Sequence, residues 1–145
     1  MISVTLWADV KPTEDIEKVK QALLNLCPPA SIEVFQEPEK TTTMKGYATG
    51  PESIATFAKK FREQRILEAV RQQLLKLVQN NELVFAVQRQ AAFVNRFHLC
   101  DLTDYTAMGP IRVEIQANNI QDVIDYISPP TIKGRPKFRN DLKLE

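Results

Sequence analysis

The side chains that could do chemistry fall into three groups, and the first is a metal set. His98 and Cys100 stand two residues apart in a stretch rich in strand formers, so they would share a face and reach one ion, with Asp101 or the distant Cys27 as further ligands. Structural zinc takes four ligands in paired spacings, and neither cysteine belongs to a CxxC pair. A His-x-Cys pair on a strand is ordinary packing, so no metal or other cofactor is expected. The second group is acidic: Glu14, Asp15 and Glu17 could be read as a catalytic or cation-binding carboxylate cluster. A helix N-terminus favours acids in its first turn without any such role, and that reading is preferred. The third group is cationic. Lys59, Lys60, Arg62, Arg65, Arg71 and Lys76 outnumber Glu63 and Glu68 by four. Arg89 and Arg96 stand on either side of Gln90–Asn95, and Lys133, Arg135 and Lys137 lie in a basic C-terminal stretch. Such side chains can neutralise phosphates, although a cationic run is also what a solvated helix face looks like. Trp7 falls on the polar side of an alternating strand, where it could be covered by neighbours, sealed by a second subunit or free to stack.

Composition limits what these groups can mean. A chain of 145 residues is long enough to bury a core without disulfide or metal staples. One α+β domain is expected over residues 1–130, followed by a basic, partly mobile tail over 131–145. The net charge of +1 demands neither nucleic acid, nor an anionic membrane, nor an acidic partner. Two separated cysteines fit a reduced, cytoplasmic setting as buried thiols. No apolar run approaches the roughly 20 residues of a membrane span, and Met1 leads straight into a strand rather than a leader, so a soluble, untargeted protein is expected. With no Gly-rich phosphate loop, no paired-ligand motif and a single histidine, the chain does not read as an enzyme, and no small-molecule substrate is identified.

The elements that must position these groups follow from periodicity. Residues 83–100 carry the densest strand signal and are taken as the centre of the sheet, a hairpin whose connection lies within Gln90–Asn95, with Asn95 able to adopt left-handed backbone angles. Phe85 and Val87 would share one face, and Val84, Ala86 and Gln88 the other. Ile2, Val4, Leu6, Ala8 and Val10 alternate with polar residues and predict a first strand. Thr13 is the expected N-cap of a helix ending near Leu26, whose stripe is Ile16, Val19, Leu23 and Leu26. Residues 31–37 and 42–49 predict two short strands that pair with each other. Between Ser53 and Asn80 the apolar stripe shifts register across Arg62–Arg65, which predicts either two helices meeting at a tight corner, the preferred reading, or one long helix buried on two sides. Residues 101–109 read as a loop and Ile111–Gln116 as a strand with one wet face. Asn118 or Asn119 opens a helix with stripe Ile120, Val123, Ile124 and Ile127 that Pro129 and Pro130 end. Clean alternation argues for an antiparallel or mixed sheet with helices on one face. The other face would present Thr5, Trp7, Arg96, His98, Arg112 and Glu114.

Motifs along nearly the whole chain then carry a resemblance. Pro12-Thr13-Glu14-Asp15, Glu17-Lys18-Val19 and Asn25 before Cys27-Pro28 come first. They are followed by Leu83–Phe85, Gln90-Ala91-Ala92, Gly109-Pro110-Ile111, and Pro129-Pro130-Thr131 before Gly134-Arg135-Pro136. In order and spacing these resemble an archaeal family of uncharacterised proteins. The resemblance implies a fold similar to the ribosomal protein that binds 5S rRNA, homodimeric assembly and a predicted RNA-binding role sometimes linked to the exosome. It supplies no catalytic residues. Asn95 stands where the family commonly has glycine, which keeps the turn possible, and Gln88-Arg89 stands where Asn-Lys is common, which keeps a cation. Two functions stay open: non-catalytic, phosphate-led binding of structured RNA by a homodimer, and a protein-interaction or structural dimer with no nucleic-acid ligand. The candidate nucleic-acid contacts are Lys59, Lys60, Arg62, Arg65, Arg89, Arg96, Lys133, Arg135 and Lys137, and Trp7 is the candidate for stacking or for a dimer contact.

Overall fold

Strand alternation decides which side of the sheet is dry. In β1 (Ser3–Val10) the side chains of Val4, Leu6, Ala8 and Val10 are buried while Ser3, Thr5, Trp7 and Asp9 point the other way. A computed structural model describes residues 2–11, 14–28, 30–35, 42–100 and 110–129, and the backbone of 131–132 and 135–136. β2 (Ser31–Phe35), β3 (Thr42–Thr49), β4 (Glu82–Gln88), β5 (Leu99–Cys100) and β6 (Pro110–Gln116) complete a six-stranded antiparallel sheet in the order β2-β3-β1-β6-β4-β5. The centre is therefore β1 and β6, not the 83–100 stretch; β4 is second from an edge and β5 is the edge itself. Strand order is set by long-range pairing, which local composition does not encode.

Helices cover one face. α1 (Ile16–Leu26) starts at Asp15, whose side chain accepts from the Glu17 amide at 2.9 Å, so Asp15 rather than the expected Thr13 is the N-cap. Thr13 itself lies outside the described residues. α1 buries Val19, Ala22, Leu23 and Leu26. The Ser53–Asn80 stretch is two helices, as the shifted stripe predicts: α2 (Glu52–Glu63) buries Ile54, Phe57, Ala58 and Phe61, and α3 (Leu67–Leu77) buries Leu67, Val70 and Leu74. α2 follows Gly50, whose φ of +87° suits a residue without Cβ and whose N–H donates to Ile2 O.

The connection between β4 and β5 is not a plain turn. It folds as a short helix, α4 (Arg89–Phe93), held to α1 by Asn25 Nδ2, which donates to the carbonyls of Ala92 at 2.9 Å and Phe93 at 3.1 Å. Gln90-Ala91-Ala92 are competent helix formers, and this anchor overrides the strand-like flanks. Asn95 does adopt the left-handed conformation, with φ of +63°. α5 (Ile120–Ile127) packs Val123, Ile124 and Ile127 into the core and is tied to α3 by Arg71, which donates to Asp125 at 2.7 Å and to Ser128 O at 3.0 Å. Beyond it, β7 (Thr131–Ile132) pairs with β8 (Arg135–Pro136), so the segment expected to oppose regular structure contains a minimal hairpin. Phe57, Phe61, Phe85 and Phe97 form an aromatic knot between sheet and α2, with contacting centroids 5.5 to 6.2 Å apart, edge-on except for the tilted Phe57–Phe61 pair. Burial of each such ring contributes about 1.5–3 kcal/mol.

Candidate nucleic-acid interface

Five cations of the expected set gather around the turn from α2 to α3. Lys59 and Lys60 share Glu63, at 4.0 and 3.7 Å. At 100° per residue, Lys60 and Arg62 diverge by roughly 160° around the axis, so they take opposite flanks of the exposed half of α2 with Lys59 and Glu63 on its crest. Arg65 occupies the corner itself with φ of +58°, where its N–H donates to Arg62 O and the Ile66 N–H reaches back to Phe61 O. This is a helix end of the kind usually given to glycine, and an arginine there carries a backbone penalty of about 1–2 kcal/mol. Among the described residues no carboxylate lies within ion-pair distance of Arg62, Arg65 or Arg96.

The α4–β5 loop faces this corner across a groove of about 600 Å³. Lys60, Gln64 and Ile66 line it from α2 and the corner, and Val94, Asn95, Arg96 and His98 line it from the loop. The two sides are held together by one side chain. Gln64 Nε2 donates to Phe97 O at 2.8 Å and Gln64 Oε1 accepts from the Phe97 amide at 2.8 Å, while the Phe97 ring is locked into the aromatic knot. Nothing in the sequence marks Gln64, because its partner is 33 residues away.

Two expectations about this region are corrected. Arg89 is not available to phosphate: its guanidinium and the Glu14 carboxylate are only 4% and 5% exposed, and Nη1 donates to both carboxylate oxygens at 2.7 Å. The pair fastens α4 to the start of α1, and Arg89 Nε has no hydrogen-bond partner among the described residues. Arg96 and His98 do not sit on the uncovered sheet face, since they precede β5 and line the groove instead. Lys133 and Lys137 lie outside the described residues, and Arg135 is described only as backbone in β8.

The uncovered face has a different character. A row of register partners runs Glu33, Lys45, Trp7, Arg112, Ala86, Cys100 across all six strands. Lys45 Nζ lies 4.6 Å and Arg112 Cζ 5.3 Å from the indole centroid, so neighbouring cations from the strands on either side already flank Trp7. Lys45 also sits 5.4 Å from the Phe35 ring and was not singled out from sequence. Among the described residues this face carries the carboxylates Asp9, Glu33, Glu82 and Glu114 against only Lys45 and Arg112, which disfavours phosphate. The hydrogen bond that the protonated Glu114 carboxyl donates to the neighbouring Glu82 carboxylate holds Glu114 above its ordinary pKa, with burial and the Glu82 charge adding to the effect.

The suggested metal set is not assembled. Cys27 is buried beneath the sheet with Sγ donating to Ser53 O at 3.3 Å, whereas Cys100 pairs with Ala86 in the row on the opposite face. Asp101 lies outside the described residues. Among the described residues no group of three or more His, Cys, Asp or Glu is placed to hold an ion, and no helix is long and apolar enough to cross a membrane.

Comparison with known proteins places this geometry in a family. A family model described as RNA binding matches residues 3–117. The UPF0201 protein of Aeropyrum pernix is 34% identical over 142 residues, covering 97% of this chain and 94% of its own. That of Sulfurisphaera tokodaii is 33% identical over 144 residues, covering 98% and 97%. The crystal structure of the UPF0201 protein from Methanococcus jannaschii superposes with a TM-score of 0.83 at 31% identity, covering 92% of this chain and 98% of that one. With a family match across the whole sheet and archaeal relatives aligned nearly end to end, the chain belongs to the RNA-binding family whose curated members are called UPF0201 proteins.

Proposed function

We propose that this protein binds RNA without catalysis, chiefly through phosphates, on the surface formed by α2, the α2–α3 corner and the α4–β5 loop. One observation carries the reading: cations from two separate elements, Lys60 and Arg96, converge on one groove, with Lys59, Arg62 and Arg65 on the rest of the α2 and corner surface, in a chain whose family is described by RNA binding. Glu63 is the sole acid pairing with that group among the described residues, and exposed ion pairs of this kind are worth about 0–1 kcal/mol, so a phosphate displaces them readily. Lys133, Arg135 and Lys137 of the basic C-terminal stretch are proposed as further phosphate contacts. Neutralising about five phosphates gives a log–log salt slope of about −3 to −5. Structured RNA competes better than duplex DNA of equal length, because A-form grooves are recognised by shape and 2′-hydroxyls. A filter-binding titration from low to moderate salt tests this: the expected slope with RNA preference supports it, and a flat salt response removes phosphate-led binding.

We further propose a homodimer. Among the described residues the edge strand β2 has one side without a strand partner and leaves Val34 43% and Phe35 44% exposed, an edge that a second copy would cover. Two copies would double the cationic surface. Light scattering that gives the single-chain mass of 16.5 kDa at micromolar concentration contradicts it.

A further inference from the structure

We propose that the groove beside the α2–α3 corner seats one unpaired nucleotide of an RNA chain, its phosphate on Lys60 and Arg96 and its base over Val94 and Ile66. The inference rests on the RNA-binding reading and specifies which RNA it concerns. A surface built only for the backbone of a continuous stem would need cations on a ridge and little else. This groove is different. Its volume of about 600 Å³ lies in the range of small-ligand pockets, roughly 300–1,000 Å³. Its interior combines the aliphatic side chains of Val94 and Ile66 with the polar groups of Asn95 and His98. Val94 is 62% exposed, the most exposed large apolar side chain among the described residues. An exposed apolar side chain in a groove that also holds two cations suits a nucleotide, whose base offers an apolar face and whose phosphate, joined through the sugar, is anionic. The His98 imidazole lines the same space and can lie against the base, and Asn95 can meet its hydrogen-bonding edge.

The groove is also built before any ligand arrives. The double hydrogen bond between Gln64 and Phe97 fixes the separation of its walls, and the Arg96 amide donates to Ala91 O at 2.8 Å, which sets the loop at a defined height. A preformed site avoids the ordering cost that a loose loop would incur on binding.

Four probes of matched length and label separate the outcomes: a fully paired RNA hairpin, the same hairpin with a one-nucleotide bulge, an unstructured single strand, and free nucleoside monophosphates as competitors. Fluorescence anisotropy at low salt is read for wild type, Val94→Ser and Arg96→Ala. Wild type is expected to bind the bulged hairpin about tenfold more tightly than the paired one, the lower part of what stacking one base contributes. Val94→Ser, a surface change that adds no charge, brings the bulged-to-paired affinity ratio close to one, and Arg96→Ala weakens binding of both hairpins. Equal affinity for bulged and paired hairpins in wild type overturns the nucleotide seat while leaving RNA binding standing. Displacement of the bulged hairpin by free monophosphates at micromolar concentration overturns it in favour of a small-molecule site, and failure of every RNA to bind overturns both readings together.

Discussion

Replacing Gln64 by alanine tests whether one side chain really sets the geometry of the groove. Gln64 makes two hydrogen bonds to the Phe97 backbone, both 2.8 Å and partly buried. Each contributes about 0.5–1.5 kcal/mol net, and their loss leaves the Phe97 N–H and C=O without those partners. Water can reach part of the site, so the sum falls near the middle of the range, about 2 kcal/mol. For a chain of this length that corresponds to a fall of roughly 6–8 °C in Tm. Urea denaturation followed by circular dichroism is the assay, with an unchanged m-value showing that the unfolded state is unaffected. Gln64→Glu provides an internal control. The carboxylate keeps the acceptor for the Phe97 amide but loses the donor to Phe97 O, which instead meets a negative charge. When protonated it can donate again, so the folded state favours the protonated side chain. That contribution is present at acid pH and lost as pH rises, and Gln64→Glu should approach wild type near pH 4 and fall furthest behind near pH 7. A Gln64→Ala stability within about 0.5 kcal/mol of wild type would refute the claim that this clamp fixes the groove.

Three further predictions follow from buried or paired groups. Burial pushes the Cys27 thiol up to about 11, so at pH 8 only about one molecule in a thousand is thiolate; native protein should leave Cys27 unmodified by iodoacetamide over hours, with modification appearing only in denaturant, and the fold should lose stability as pH rises from 9 toward 11. Because Glu82 holds Glu114 above its ordinary range, the fold prefers the pair partly protonated, and that advantage is lost as pH rises; Glu82→Gln should therefore be more stable than wild type at pH 7 with the gap closing toward pH 4, and a gap independent of pH would count against the pairing. Arg89→Ala should destabilise by about 3–5 kcal/mol by stranding the Glu14 carboxylate, whereas Arg89→Met with Glu14→Leu should recover most of that loss in chemical denaturation.

How far the sequence could be read differs from one element to the next. β1 and β6 alternate so regularly that their dry and wet faces follow residue by residue, because a sheet with one covered face imposes period two. The corner after α2 was legible in the shift of the stripe from Phe57 and Phe61 to Val70 and Leu74. The region after Gln88 was not. Its identity as α4 depends on Asn25, and the burial of Arg89 depends on Glu14, 75 positions away. An arginine in a basic neighbourhood looks solvent-facing until its partner is known. The same limit applies to the site: the cations of α2 stand together in sequence, but their junction with Arg96 and His98 is made by the Gln64–Phe97 contact, a tertiary event with no local signature.

The measurement that bears most directly on the central claim compares RNA affinity of wild type with that of the triple variant Lys59→Glu, Lys60→Glu, Arg62→Glu at low salt, with folding verified by circular dichroism. These side chains span the exposed half of α2, so reversing them replaces three cations with three anions without touching the core. The account predicts a loss of at least a hundredfold for structured RNA and a salt slope reduced by about two to three. Equal affinity in the two proteins, or no detectable binding by either, contradicts it and leaves an interaction surface for protein as the better reading of this face.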